Sequence, residues 1–241
     1  MLGLALTACA AVLAGCSDKS SASALSDPAG GTGQVASPGA TAGERAPADK
    51  ITVAGDSISV GLGTALREAA PEDVTVKVIG EVGTGLARPD DFDWPARLRE
   101  LAADYPPDVL VFSLSSNDAQ DLVDADGEVV ASFSDEEAWD AEYSARLAES
   151  FDAFQGTDTS VLWVGHVRTS KDKVGLTNRH IQELAEQVAS TRPWVTVTDL
   201  ATILGTGDQV AKGCLVADGL HLKTDCLDMA AQELLKAPPI T

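Results

Sequence analysis

From Lys50 onward, short apolar runs alternate with amphipathic stretches, and the alternation holds nearly to the C-terminus. Lys50–Ala54 (KITVA), Val74–Ile79, Asp108–Leu114, Ser160–Gly165 and Trp194–Thr198 are rich in β-branched and large apolar residues and are bounded by Gly, Asp or Pro, the pattern of buried strands. Between them, Ile58–Ala70, Trp94–Asp104, Asp135–Phe154, Gly175–Ser190 and Leu227–Leu235 read as helices. The helix at Asp135 opens with acidic residues, which the helix dipole favours. Strands alternating with helices predict parallel pairing and crossover helices on both faces, an α/β fold in three layers. Asp121–Phe133 departs from this pattern. Its Asp126-Gly127, flanked by Leu122-Val123 and Val129-Val130, predicts a small hairpin, and its aspartates do not complete a calcium-loop pattern. The chain shows no internal repeat.

The N-terminal part is built differently. Residues 17–49 are rich in Ser, Gly, Ala and Pro, with no aromatic and no periodicity, so they bury too little apolar surface to offset their ordering entropy. They read as a tether. The run MLGLALTACAAVLAGC before it carries no charge and is shorter than the about 20 apolar residues of a membrane span, but suits a signal-peptide core. Leu13-Ala14-Gly15-Cys16 resembles the lipobox of bacterial lipoproteins, which implies cleavage before Cys16 and a lipid on that cysteine. A plain secretory signal is the other reading, and either one exports the chain. The expected organisation is a signal at 1–15, a lipidated Cys16 and tether at 16–49, and one domain at 50–241.

Export changes what the cysteines mean. Cys9 leaves with the signal and Cys16 carries lipid, so Cys214 and Cys226 are left to form one disulfide in an oxidising compartment. Two cysteines and three scattered histidines show no metal-ligand spacing. The formal net charge of −20 argues against nucleic-acid partners, because phosphates would be repelled.

Ligands of open α/β sheets sit outside the carboxyl ends of the strands. Gly55-Asp56-Ser57, Gly83-Thr84-Gly85 and Ser115-Ser116-Asn117-Asp118 fall at such ends, and Asp218-Gly219-Leu220-His221 falls before the last helix. A serine where a strand turns into a helix presents its hydroxyl beside helix N–H dipoles, a placement suited to a nucleophile whose oxyanion those dipoles meet. Each residue alone also has a plainer reading: Ser57 as a helix N-cap, Asn117 and Asp118 as turn residues, Gly85 as a loop glycine. His166, after the strand SVLWVG, lines the pocket with Arg168 or serves a structural role at the strand end. His180 reads as an ordinary helical residue. Trp94 is either core or pocket floor, and Arg88 either binds a substrate anion or makes a surface ion pair.

Taken in order, these blocks resemble the SGNH (GDSL) hydrolase family: Gly55-Asp56-Ser57-Ile58-Ser59, Thr84-Gly85, Ser115-Ser116-Asn117-Asp118 with serine in place of the usual first glycine, and Asp218-x-x-His221. The resemblance covers about residues 50–236 and includes features of an exported bacterial subgroup. It implies a five-stranded parallel sheet in the order 2-1-3-4-5. It also implies Ser57 as nucleophile, His221 as base, Asp218 as its orienting carboxylate, and an oxyanion hole from the Ser57 and Gly85 N–H groups and the Asn117 amide. Asp56, Asp118, His166 and Arg88 remain candidate substrate contacts. The implied activity is an extracytoplasmic serine esterase acting on small O-acyl esters, with cell-envelope glycans as the expected substrate. Acyl transfer to a sugar hydroxyl and a non-catalytic binding domain are the alternatives. The expected protein needs no cofactor or metal, is monomeric, and meets the membrane through its lipid.

Overall fold

The computed structural model describes residues 47–241; the signal segment, Cys9, Cys16 and the tether up to residue 46 lie outside the described residues. The folded part starts just before Lys50. Ala48 is buried and its N–H donates to Ile240 O at 3.0 Å, while the Asp49 and Lys50 N–H groups donate to Asp108 Oδ2 at 3.0 and 2.8 Å.

Five parallel strands make the main sheet: β1 (Lys50–Gly55), β2 (Thr75–Gly80), β3 (Val109–Ser113), β6 (Ser160–Gly165) and β7 (Val195–Asp199), in the order β2-β1-β3-β6-β7. With the hairpin strands β4 (Leu122–Val123) and β5 (Val129–Ala131) set aside as a separate antiparallel pair, this is the expected order 2-1-3-4-5. The period-2 alternation of a strand sorts the core into two layers. Ile51, Val53, Val109, Val111, Leu162 and Val164 face one side, where α1 (Ser57–Ala69), α5 (Leu200–Ile203) and α6 (Thr224–Leu234) cover them. Leu110, Phe112, Val161 and Trp163 face the other, under α2 (Trp94–Asp104), α3 (Glu136–Asp152) and α4 (Asp172–Ala189). Every residue of β3 is buried, as the centre of a doubly covered sheet requires. The structure is a three-layer α/β/α sandwich.

Helix starts follow the caps. Asp56, Asp93 and Asp135 each accept a backbone N–H at the start of α1, α2 and α3. α4 and α6 begin after Lys171 and Lys223, which make no side-chain cap bond, and both helices start three residues earlier than the expected Gly175 and Leu227. Trp94 is fully buried, its ring 5.8 Å from Phe112 in a chain of aromatics that continues to Trp163 and Phe151.

Candidate active site

β1 ends at Gly55, whose φ of 141° and close approach to β3 both require glycine: a Cβ there would stand 1.8 Å from Ser113 O. The chain then turns at once into α1. Asp56, not Ser57, is the N-cap, its Oδ1 accepting the Ile58 N–H at 2.9 Å. Ser57 is thereby left as the first helical residue, free to use its hydroxyl elsewhere. That hydroxyl lies 2.8 Å from His221 Nε2, across 164 residues of sequence.

His221 is aimed from behind. Its Nδ1 lies 2.7 Å from Asp218 Oδ2, while Asp218 Oδ1 accepts the Leu220 and His221 N–H groups at 2.8 and 3.0 Å. The hydrogen bond from His221, with those backbone donors, holds the Asp218 carboxyl down at about 2, so it is ionised at neutral pH. An ionised acceptor at Nδ1 places the ring proton there and leaves Nε2 bare to accept the Ser57 proton. The carrier loop is closed by a Leu215–Leu222 bridge, by the Val216 N–H donating to His221 O at 2.9 Å, and by the Cys214–Cys226 disulfide. The Ser170 N–H donates to Gly219 O at 2.9 Å and ties the loop to the segment after β6.

The oxyanion candidates converge on the same turn. The Glu81 N–H donates to Gly55 O at 3.0 Å, bringing the loop after β2 to the turn that carries Ser57. Asn117 Nδ2 donates to Thr84 O at 2.8 Å, which sets its amide beside Gly85 and leaves it a second proton to donate. The Ser57 and Gly85 N–H groups have no acceptor among the described residues. Gly85 is required sterically, since a Cβ would meet Asp118 Oδ1 at 2.0 Å.

Three expected substrate contacts are corrected. Asp118 is fully buried: it accepts the Ala87 N–H and the Tyr143 hydroxyl, both at 2.8 Å, and so joins the Gly85 loop to the Asn117 turn. Burial raises its carboxyl to about 6 despite those donors. Asp56 is equally inaccessible, and burial raises its carboxyl to about 7. Neither can touch a substrate. His166 is corrected in the same way, because it is 5% exposed and both ring nitrogens are engaged, Nδ1 with Ser116 Oγ at 2.7 Å and Nε2 with Ser113 Oγ at 2.9 Å. It does edge a cavity of about 290 Å³ with Arg168, Gln182 and Asp199. Arg88 forms the surface ion pair, at 2.6 Å to Asp90. Trp94 belongs to the core and also edges a cavity of about 250 Å³ beside Gly85.

Several supporting residues gave no sequence signal. Arg146 from α3 donates to Leu86 O and Val123 O, both at 2.7 Å, and so fixes the chain just past Gly85. Tyr143 acts likewise, through a tertiary partner, Asp118, that no local pattern announces. His180 pairs with Asp140 at 2.6 Å, and Glu136, Asp140 and His180 place donor atoms within 4.8 Å of one another. Among the described residues this is the trio spaced for a metal, and it includes none of the residues around Ser57.

Residues 50–236 match a family described as "Protein of unknown function (DUF459)". The chain belongs to that family. Among solved structures, a lipolytic G-D-S-L family protein from Veillonella parvula is 17% identical, with a TM-score of 0.56 over 78% of this chain and 97% of that one. The C-terminal catalytic domain of Streptococcus pneumoniae peptidoglycan O-acetyltransferase A, with a methylsulfonyl adduct, is 13% identical, with a TM-score of 0.53 over 79% and 93%. A catalytic mutant of an acetylxylan esterase from Geobacillus stearothermophilus is 16% identical, with a TM-score of 0.52 over 78% and 93%. At these identities the likeness establishes the fold, which is that of the SGNH (GDSL) hydrolases. No curated protein matches the chain.

Proposed function

We propose that this chain is a serine acyl-ester hydrolase that works through an acyl-serine. The observation that carries the reading is the hydrogen-bonded line Ser57 Oγ–His221 Nε2 and His221 Nδ1–Asp218 Oδ2, at 2.8 and 2.7 Å, beside three unspent donors. His221 Nε2 takes the Ser57 proton as Oγ bonds to the ester carbonyl carbon, and the imidazolium that forms is stabilised by ionised Asp218. The carbonyl oxygen becomes an oxyanion, met by the Ser57 and Gly85 N–H groups and the free Asn117 N–H. Collapse breaks the C–O bond to the leaving alcohol, which departs with the His221 proton. Water then repeats the sequence on the acyl-serine, giving the acid and restoring Ser57. Every group needed lies in the chain.

The substrate is a small O-acyl ester on a cell-envelope glycan, reached by a lipoprotein at the outer face of the cytoplasmic membrane. Support for that location comes from Leu13-Ala14-Gly15-Cys16 and from the Cys214–Cys226 disulfide, a bond typical of oxidising compartments. A second reading is acyl transfer to a sugar hydroxyl. It is favoured by the openness of the base, since the side chains of His221 and Asp218 are 41% and 46% exposed and an acceptor larger than water can approach them. The fold neighbour from S. pneumoniae is described as a peptidoglycan O-acetyltransferase.

The test is release of a chromogenic alcohol from short acyl esters by the full chain in detergent, with Ser57→Ala alongside. Turnover by wild type is expected to fall by about 10⁴-fold or more in the variant. Equal inertness of the two toward short esters and acetylated envelope glycan would overturn the proposal. Partition of the acyl group between water and an added sugar acceptor separates hydrolase from transferase.

A further inference from the structure

Behind the nucleophile lies a buried polar group that the acyl chemistry does not touch. Ser113, Ser116, His166 and Asn178 come from β3, the turn after it, the end of β6 and α4, and their exposures are 0%, 7%, 5% and 1%. Their hydrogen bonds have only one consistent direction. Ser113 Oγ gives its single proton to Val164 O at 2.7 Å, so toward His166 Nε2 it accepts and that nitrogen carries the ring proton. Burial keeps the imidazole neutral, holding it down at about 3. Nδ1 is therefore bare and accepts the Ser116 hydroxyl proton at 2.7 Å. The Ser116 oxygen faces Asn178 Nδ2 at 3.4 Å, and Asn178 Nδ2 also donates to Val167 O at 3.1 Å.

Ser116 is the residue before Asn117, and the turn it belongs to is under strain. Ser115 has φ 156° and, among the described residues, is the non-glycine with positive φ; its own hydroxyl finds no partner. The turn is thus held from outside, by Asp118 on one side and by Ser116 Oγ on the other. The geometry points to His166 as a positioning residue: spanning Ser113 and Ser116 as an Nε2–H tautomer, it locks the turn and aims the Asn117 amide at the oxyanion. This inference rests on the acyl-ester reading of Ser57. His166 touches neither substrate nor Ser57, and acts through Asn117. The ionisable groups facing it are Asp56, whose Oδ1 is 3.8 Å from Nε2, and His221.

The test is steady-state kinetics of the full chain on a chromogenic short acyl ester, with folding checked by thermal melting. His166→Ala is expected to lower kcat about 10- to 100-fold, the range expected for a misaimed catalytic group, with KM nearly unchanged. His166→Gln, which accepts and donates in the same two directions, restores most of the loss. In an Asn117→Ala background, His166→Ala costs less than about 3-fold, because residues that act through one another are not additive. The acidic limb of the pH profile stays at its wild-type position, since His221 remains the base. If His166→Ala does not fold, Ser116→Ala removes the same bond and carries the same expected non-additivity. Losses that multiply in the double variant, a shifted acidic limb, or a folded His166→Ala with wild-type kcat would overturn the assignment while wild type stays active. An inert wild type whose Ser57 also resists a sulfonyl fluoride would instead overturn the acyl-ester reading, and this inference with it.

Discussion

The buried carboxyl next to Ser57 contributes stability that runs against the usual acid-denaturation trend. Asp56 is 0% exposed, its Oδ1 caps α1, and its Oδ2 accepts no hydrogen bond. Burial raises its carboxyl from 3.8 to about 7, outweighing the Ile58 N–H and the neighbouring backbone donors. The folded protein therefore binds this proton more tightly than the unfolded chain does. The resulting stability is complete below about pH 4 and is lost as pH rises through about 7. At about 1.4 kcal/mol per pH unit, the interval between 3.8 and about 7 amounts to at most about 4 kcal/mol. Asp118, raised to about 6, pushes in the same direction; His166, lowered from 6.5 to about 3, pushes the other way below about pH 6.5 and offsets part of the trend; Asp218, lowered to about 2 and exposed, matters only in acid. Asp56→Asn keeps an oxygen for the Ile58 N–H and removes the charge. In thermal melts followed by circular dichroism, wild type is expected to lose Tm between pH 5 and pH 8. The variant should exceed wild type by about 1.6 kcal/mol at pH 5 and by the full about 4 kcal/mol at pH 8, which is about 3–6 °C and about 8–16 °C at about 2–4 °C per kcal/mol for a domain of this size. The same difference at both pH values, or a variant less stable at pH 8, would refute the reasoning by showing that Asp56 is ionised and satisfied in the fold. Below about pH 7, where Asp56 is neutral, no buried negative charge would oppose the oxyanion of the proposed reaction at Ser57.

Ser115→Gly relieves the strained φ of 156° without removing any hydrogen bond, so Tm is expected to rise by about 2–4 °C with kcat unchanged; a fall in Tm would show that the serine backbone is at ease there. Joining residues 12 apart, the Cys214–Cys226 bond limits the unfolded chain by about 3 kcal/mol on a chain-entropy estimate, so Cys214→Ala/Cys226→Ala is expected to lower Tm by about 6–12 °C. Part of the turnover should survive in that variant, because the Leu215–Leu222 bridge and the Val216 N–H to His221 O bond also hold the loop. A melt unchanged by the double substitution would make the staple incidental.

What was legible in the sequence follows from which interactions are local. Strands β1, β3 and β6 read clearly because apolar runs of this length between turn residues have few other uses. α2 read to the residue because Asp93 caps it and Pro95 opens it, whereas the starts of α4 and α6 were missed because Lys171 and Lys223 make no side-chain cap. α5, of four residues, is too short for any period to show. The residues brought to Ser57 stood out for a related reason. Three of these stretches sit on turns after strands and the fourth, Asp218–His221, on the loop before the last helix, where polar side chains have no core to serve, so four such stretches in one chain invited a single site.

The same logic explains the errors. Asp56 and Asp118 are as polar as their neighbours Ser57 and Asn117, and no pattern distinguishes the residue that faces the cleft from the one that holds the turn. Chain direction makes the distinction. Once Asp56 caps α1, Ser57 must be the residue left on the open side. Once Asp118 turns inward to Tyr143 and the Ala87 N–H, Asn117 keeps an amide proton for the cleft. His166 turns inward for the same reason, between Ser113 and Ser116. The polar residues at these strand ends thus divide into pairs, one member for chemistry and one buried beneath it. The buried members decide whether the exposed ones are aimed; Asp56 does so locally by capping α1, whereas Asp118 and Ser116 meet partners across the fold, 25 residues away at Tyr143 and 50 at His166.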